Sequence, residues 1–387
     1  IDPFLGTNED FAGLCKKAKE LGIRIILDGV FSHTGDDSLY FNKYGTYPTV
    51  GAYQSKKSPY YAWYKFNKYP EDYASWWGVG TLPEVTETTP SYMNYIFKSS
   101  DSVMKQWLNL GVNGWRLDVA DELPTKFLES FWQELKKENK DNVLIGEVWE
   151  DASNKVSYSE QRAYFSGGKL DSVMNYVMRS IMLDFMLGKA NGTATMERIL
   201  QQEENYPQEN FYACLNLVGS HDVERVLTIL QGGEYNNTKK RPELADPLWM
   251  KAADSTVKFQ EDENNFKTGR LLAAKNKIAA GKNRSSVGQD RLCSLITWQM
   301  TMPGAPCVYY GDEAGLEGYK DPDNRRTFPW GQENYIIQSW YRQMIHIRRD
   351  NDALSTGRFV PLYGNGNEFV YARCIEGNKD VFGKSAK

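Results

Sequence analysis

The sequence predicts an α/β protein whose main part is a (β/α)8, or TIM, barrel. Short apolar runs typical of buried parallel strands alternate with segments of helical periodicity along most of the chain. Each apolar run is followed directly by polar residues, as expected where parallel strands end at one rim of a barrel. The length of 387 residues suits one large barrel with smaller attached parts.

Six barrel strands are predicted, near residues 23, 114, 143, 171, 212 and 307. The first covers Ile23–Leu27, and the last two cover Phe211–Val218 and Pro306–Tyr310. Because eight strands close such a barrel, we expect about two β/α units to lie upstream of Ile1, so that the chain is truncated at its N-terminus.

Helices are predicted from apolar periodicity and from end signals. Thr7 and Asp10 form a capping-box pattern before one helix, and Pro124 opens another. Further helices are expected over Tyr92–Leu110, from Ile181, over Leu292–Met302 and over Asn334–Arg349.

Four parts are predicted along the chain. Residues 1–31 and 91–350 form the barrel, with a charge-rich insertion at about 231–290. Residues 32–90 are crowded with Tyr and Trp and show no clear alternation of helix and strand patterns. We therefore expect a small inserted domain (domain B) rather than a structureless loop. It follows the strand near residue 23, which would be strand 3 of a complete barrel. Residues 351–387 predict the start of a C-terminal β-sandwich domain that is cut short.

Composition excludes several classes of function. The net charge of −4 gives no basis for nucleic-acid or anionic-membrane binding, and no apolar run approaches the roughly 20 residues of a membrane helix. Five cysteines without a C-x-x-C pair and three histidines without a His-x-His pair give no zinc signature. Free cysteines favour the cytoplasm, and a missing N-terminus leaves an extracellular location open.

The stretch Gly114–Glu122 begins apolar and ends charged. The period of two places Arg116 and Asp118 on one face of a strand, where the cation keeps the carboxylate ionised. A buried structural ion pair is the alternative interpretation of this stretch taken alone.

Three acids follow three different predicted strands: Asp118, Glu147 and Asp222. Glycosidic chemistry uses one carboxylate as nucleophile and one protonated acid as proton donor, and a separation of about 5 Å predicts retention of configuration. The environment has to keep the nucleophile charged, beside Arg116, and the acid neutral, in a less polar pocket.

Four segments carry a resemblance to a known family. In order they are Asp28–His33, Gly114–Asp118, Gly146–Trp149 and Gly219–Asp222. Together they resemble the motifs of the α-amylase family (glycoside hydrolase family 13).

The resemblance implies a role for each matching residue. Asp118 would be the nucleophile, Glu147 the general acid/base and Asp222 the stabiliser of the transition state. Arg116, His33 and His221 would contact the sugar or orient the acids in subsite −1, and Asp28 would also bind the substrate.

The finer resemblance is to the neopullulanase, cyclomaltodextrinase and maltogenic amylase branch. It rests on Trp149–Glu150 and on the run 321–326. In that branch Asp321 and Arg325 would hold the −2 sugar, with a structural ion pair as the alternative for Arg325. Trp149 would stack on a sugar at an acceptor subsite or pack within the protein.

Two positions depart from the branch. Ser32 replaces an Asn that binds calcium in many relatives, and a lone hydroxyl is a poor calcium ligand. We therefore expect no metal at the usual family site and no required cofactor. Asp121 replaces an Asn, a change expected to alter acceptor selectivity.

The predicted function is retaining hydrolysis of α-1,4-glucosidic bonds in maltooligosaccharides and starch-type glucans, with cyclodextrins or pullulan as further substrates. An α-glucanotransferase of the same fold and a non-catalytic glucan-binding fragment are the alternatives. The expected partner is the glucan, and a homodimer is open for the full-length protein.

Overall fold

The computed structural model describes residues 1–232 and 287–387, which divide into two compact units. The first unit comprises Ile1–Val177 and Leu200–Leu215, and the second comprises Met178–Ile199 and Asn216–Lys387. Nearly all of the predicted insertion at 231–290 lies outside the described residues.

Twelve strands occur in the described part of the chain. They are β1 Leu27–Gly29, β2 Phe66–Lys68, β3 Asp72–Tyr73, β4 Gly114–Leu117, β5 Val143–Val148, β6 Val156–Ser157, β7 Glu160–Gln161, β8 Ser172–Asn175, β9 Leu215–Leu217, β10 Ala305–Cys307, β11 Arg358–Asn365 and β12 Glu368–Cys374.

Eleven α-helices occur in the same described ranges. They are α1 Asn8–Glu20, α2 Pro90–Met93, α3 Val103–Asn109, α4 Thr125–Glu138, α5 Tyr176–Met186, α6 Gly192–Asn205, α7 Gln208–Ala213, α8 Val226–Leu230, α9 Val287–Thr301, α10 Tyr335–Arg349 and α11 Asp352–Thr356.

The parallel pairing of the first unit sets the register of the candidate site. β1 pairs with β4, β4 with β5 and β5 with β8. Asp28 lies opposite Arg116 in the first of these pairs. Because neighbouring parallel strands end at the same rim, residues that follow β1, β4 and β5 meet there.

Three predicted strands are displaced. The first strand begins at Leu27 rather than at Ile23. The side chain of Ile23 is exposed, so this apolar residue does not belong to a buried strand. Helix α7 follows Pro207 and takes the start of the predicted Phe211–Val218 strand. The last predicted strand is confirmed only at β10, ending at Cys307.

The helix predictions hold where end signals support them. Thr7 caps α1 in a reciprocal capping box with Asp10, and α4 follows Pro124. The single helix predicted over Tyr92–Leu110 is wrong, because α2 passes into a π-helical turn and the chain is extended at Ser99 and Ser102 before α3.

Most aromatic rings of residues 32–90 pack against one another. Phe41 is fully buried and contacts Tyr53, Tyr64 and Tyr73, with ring centroids 4.7–5.6 Å apart. The same core includes Phe127 of α4. The boundaries given above for an inserted domain remain a prediction.

In the second unit, β11 and β12 form an antiparallel hairpin with Arg358 opposite Cys374. Helices α9 and α10 are the longest helices described there. Within residues 1–232 and 287–387, no helix is both long and apolar enough to cross a membrane.

Candidate active site

Arg116 of β4 contacts three carboxylates of the first unit. Its guanidinium lies 2.7 Å from Asp28, 2.9 Å from Asp118 and 2.8 Å from Glu147. Burial alone would lower the pKa of this guanidinium, but the surrounding carboxylates, Glu147 first, raise its pKa above the usual value. One cation therefore contacts both candidate catalytic acids of this unit and holds them close to each other.

Glu147 is buried at the end of β5 and accepts two further hydrogen bonds. The backbone N–H of Val119 donates to Oε2 at 2.8 Å, and the indole N–H of Trp149 donates to Oε1 at 3.0 Å. Glu147 is more buried than Asp118, with 4% against 20% of its side chain exposed, but Arg116 contacts both carboxylates at a similar distance. The less polar pocket expected for the acid remains a prediction.

Gly114 allows β4 to approach β5. A Cβ atom at this position would lie 2.1 Å from the carbonyl oxygen of Val143, and its φ of +156° is rare for side-chain-bearing residues. The close approach sets β4 beside β5, and Arg116 lies two residues further along.

His33 lies beyond β1, with its imidazole next to Trp76 (centroids 5.0 Å apart). Its Nδ1 is 3.0 Å from the buried hydroxyl of Ser32. Burial lowers the pKa of His33, against an opposing effect of the Asp118 charge. A lowered pKa favours a neutral imidazole, which can donate from one nitrogen while it accepts at the other.

Trp149 lies beside the candidate acid. Its ring stacks on Tyr176 at 3.9 Å between centroids and 9° between planes, and its outer part is exposed. The packing alternative is therefore observed for Trp149, and stacking on a sugar at an acceptor subsite remains a prediction.

The loops after β4 and β5 are joined by Lys155. Its ammonium lies 3.3 Å from Asp121 and also contacts Glu150. Tyr164 donates to Asp121, and Arg162 donates to the backbone carbonyl of Leu123. The carboxylate of Asp121 is thus an anchor for the loop that follows Glu147.

The second unit holds the other predicted site residues. His221 lies 3.2 Å from Asp222, and Arg325 lies 3.4 Å from Asp222 and 3.1 Å from Asp321. The ion-pair alternative for Arg325 is thus observed, with Asp321 as one partner. The guanidinium of Arg325 also contacts Asp222.

Two residues that the sequence analysis missed hold this segment. Asn324, fully buried, donates to the carbonyls of His221 and Val223 at 2.8 Å each, on either side of Asp222. Arg225 donates to the carbonyl of Asn324 at 2.8 Å and lies 4.0 Å from the ring centre of Tyr309. Asn324 precedes Arg325 in the run 321–326. This position within the motif was the one sequence signal that could have pointed to Asn324 as a site residue.

Asp312 completes the network around Asp222. It pairs with Arg225 at 3.1 Å, and burial raises the pKa of Asp312 to about 7 against the lowering effect of Arg225. A Cβ atom at Gly219 would lie 2.2 Å from an Asp312 oxygen, so any larger residue there would require Asp312 to move.

Comparison with known families decides the assignment of the chain. Residues 1–290 match the alpha-amylase family, described as alpha amylase, catalytic domain. The chain belongs to the alpha-amylase family.

Relatives of this alpha-amylase family chain have several names. An amylopullulanase of Thermoanaerobacter thermohydrosulfuricus is 34% identical over 417 residues, which cover 100% of this chain and 25% of the relative. A cyclomaltodextrinase of Thermoanaerobacter pseudethanolicus is 28% identical over 393 residues, covering 98% of this chain and 55% of the relative. The chain thus spans a quarter to about half of these relatives.

Solved structures support the same assignment. The debranching enzyme of Nostoc punctiforme has a TM-score of 0.73 at 27% identity, with 97% of this chain and 68% of that chain covered. The catalytic domain of the alpha-amylase family implies the predicted TIM barrel. That about two β/α units are absent from it remains a prediction.

Among the described residues of this alpha-amylase family chain, no group of three or more His, Cys, Asp or Glu side chains could hold a metal ion. The hydroxyl of Ser32 contacts Nδ1 of His33.

Proposed function

We propose that the chain is the catalytic part of a retaining glycoside hydrolase that cleaves α-1,4-glucosidic bonds. The observation that carries this is the single guanidinium of Arg116 between Asp118 and Glu147, at the ends of neighbouring parallel strands of an alpha-amylase family chain. Two carboxyl groups held together on one rim are what double displacement requires.

In the proposed mechanism a carboxylate oxygen of Asp118 attacks the anomeric carbon. The bond to the leaving oxygen breaks as Glu147 protonates that oxygen, which gives a glycosyl ester on Asp118. Glu147 then removes a proton from water, which displaces Asp118 and releases the sugar with retained configuration. Asp222 stabilises the oxocarbenium-like transition states, and His33, His221 and Arg116 position the sugar.

The proposed substrates are maltooligosaccharides and starch-type glucans, with cyclodextrins and pullulan as further ones. Relatives named cyclomaltodextrinase, neopullulanase and amylopullulanase support this range. No cofactor takes part in the proposed steps, and Ser32 in place of Asn supports a mechanism without calcium at the usual site.

Transfer of the glycosyl group to a sugar acceptor is the second candidate. It is favoured by the exposed ring of Trp149, whose N–H donates to Glu147 and which therefore lies where an acceptor sugar would meet the ester. Longer or branched products distinguish transfer from hydrolysis.

The test is mass-spectrometric product analysis with maltoheptaose, cyclodextrin and pullulan. The parent should release short maltooligosaccharides or panose, and Asp118→Asn should fold normally without turnover. Asp350→Asn, an exposed carboxylate change in the second unit, is the matched control. More than a few per cent of parent activity in Asp118→Asn would sink the assignment of the nucleophile.

A further inference from the structure

A row of aromatic rings extends outward from His33. His33 packs on Trp76, and Trp76 stacks on Trp77 with centroids 4.5 Å apart and planes 8° apart. Trp77 is 73% exposed, so one face of its indole is covered and the other is open. The row therefore ends on a flat apolar surface.

Glu122 fixes the outer end of this row. Trp77 donates its indole N–H to Oε1 of Glu122 at 3.1 Å, and the Tyr158 hydroxyl donates to Oε2. Tyr158 is itself 71% exposed. Since the polar atoms of both rings are already bonded to one carboxylate, the rings are oriented before any ligand arrives.

Core packing does not account for either ring. Trp77 and Tyr158 both have left-handed backbones, with φ values of 50° and 51°, which large side chains rarely adopt. Neither ring gains burial in return, unlike the packed rings elsewhere in residues 32–90. The backbone of Tyr158 is explained by the two-residue turn of the β6–β7 hairpin, in which Ser159 is left-handed as well. The strain at Trp77, whose ring stays exposed, is of the kind that concentrates at sites that hold a ligand.

We propose that Trp77, Tyr158 and Glu122 (the aromatic platform) form a stacking subsite for one glucosyl unit of the substrate chain. The proposal rests on the proposed function. The C–H face of a pyranose ring is apolar and flat enough to cover an indole, while its hydroxyls reach the polar rim. The carboxylate of Glu122 accepts hydroxyl hydrogens and repels anionic ligands, so a neutral sugar fits this surface.

The subsite is distinct from the residues that contact the scissile bond. Two rings, Trp76 and Trp77, separate its open face from His33. The platform therefore binds chains that extend beyond the cleaved linkage.

The experiment measures maltoheptaose binding by calorimetry in the full chain, with Asp118→Asn present in every protein to prevent turnover. Trp77→Gly removes the ring, and glycine adopts the left-handed backbone without strain, so the fold is expected to persist. Trp77→Phe keeps a flat ring but loses the N–H donor. Trp330→Ala is the matched control, because Trp330 is also 73% exposed.

We expect Trp77→Gly to raise the Kd for maltoheptaose about tenfold, which corresponds to about 1.4 kcal/mol. Trp77→Phe should raise it less, and Trp330→Ala should leave it unchanged. An unchanged Kd in Trp77→Gly, or an equal rise in Trp330→Ala, would overturn the platform.

Parent activity separates the two proposals. If the parent hydrolyses maltoheptaose and Trp77→Gly leaves its Kd unchanged, the platform alone fails. If the parent neither hydrolyses nor binds any of the glucans, the proposed function fails and the platform fails with it.

Discussion

The backbone N–H of Val119 donates a 2.8 Å hydrogen bond to the carboxylate of Glu147. Val119 directly follows Asp118 and has φ of 37° and ψ of 67°, a left-handed conformation that a β-branched residue rarely adopts. Such a conformation costs roughly 1–3 kcal/mol and persists where the surroundings enforce it. The strained peptide thus links the candidate nucleophile's strand to the candidate acid.

Val119→Gly tests whether this strain serves catalysis. Glycine removes the strain, so we expect the free energy of unfolding to rise by about 1 kcal/mol. We also expect kcat to fall more than KM changes, because the freer peptide holds Glu147 less firmly. Urea unfolding and steady-state hydrolysis of maltoheptaose measure the two effects, and a variant with higher stability and unchanged kcat would contradict the positioning role.

Ser32→Ala tests the tautomer of His33. The Ser32 hydroxyl is buried, and its described partner is Nδ1 of His33. An unmade buried O–H bond is costly, so we expect the hydroxyl to donate to Nδ1 of His33 and the ring proton to lie on Nε2. Without the hydroxyl we expect kcat/KM to fall about tenfold, equivalent to about 1.4 kcal/mol.

Nitrogen-15 NMR of His33 gives the direct measurement. The parent and Ser32→Thr, which keeps the hydroxyl, should show a protonated Nε2. A mixed tautomer is expected only in Ser32→Ala, and the same tautomer in all three proteins would exclude the proposed role.

Asn324→Ala removes the amide that donates to the backbone carbonyls on either side of Asp222. The buried carbonyl of Val223 then loses its described donor, whereas the carbonyl of His221 keeps a hydrogen bond from Arg325 at 3.1 Å, so we expect a loss of roughly 1–3 kcal/mol in stability. Asn67→Ala is the control, because Asn67 is exposed and bonds only Asp72. Equal losses in the two variants by urea unfolding would show that Asn324 has no special role.

Glu87 should make stability depend on pH. Burial, aided by the charges of Glu84 and Glu122, raises the pKa of Glu87 from 4.5 to about 8. Between these values the folded state holds a proton on Glu87 that the unfolded chain releases. The contribution of Glu87 to the free energy of unfolding is therefore largest below pH 4.5 and falls as pH rises towards 8.

Glu87→Gln removes this dependence. We expect the variant to be more stable than the parent at pH 8, by up to a few kcal/mol, and equally stable at pH 4. A residual slope should remain up to about pH 7, because Asp312 also has a raised pKa. Thermal unfolding of parent and variant at several pH values measures how the stability of each depends on pH. Glu20→Gln, at an exposed helix end, should reproduce the parent curve.

Much of the fold was predictable from local patterns. Continuous apolar runs located the parallel strands, and Pro124 and the Thr7 capping box located helix starts because both signals act within one turn. The break at Ser99–Ser102 was missed because apolar periodicity continues across it. Ile23 was misassigned because an exposed apolar residue has the same appearance in a sequence as a buried one.

The motifs name the candidate site residues, whose roles remain predictions, but the contacts that support these residues could not be predicted from the sequence. Arg116 was expected beside Asp118, whereas its equal contact with Glu147 depends on the register of β4 and β5. The roles of Val119 and Asn324 depend on backbone direction, which residue identity does not encode. The Ser32 substitution was noted as a lost metal ligand, and only the fold shows its contact with His33.

Lys155 forms two ion pairs in the loop after Glu147, and these pairs differ in how strongly dissolved salt weakens them. Glu150 is 61% exposed, so dissolved ions screen its contact with Lys155. Asp121 is only 15% exposed and keeps its contact at the same salt concentration. Added salt therefore loosens the end of the loop next to Trp149 while its base stays attached. The choice between water and a sugar acceptor should consequently vary with salt more than the rate of glycosyl-ester formation does.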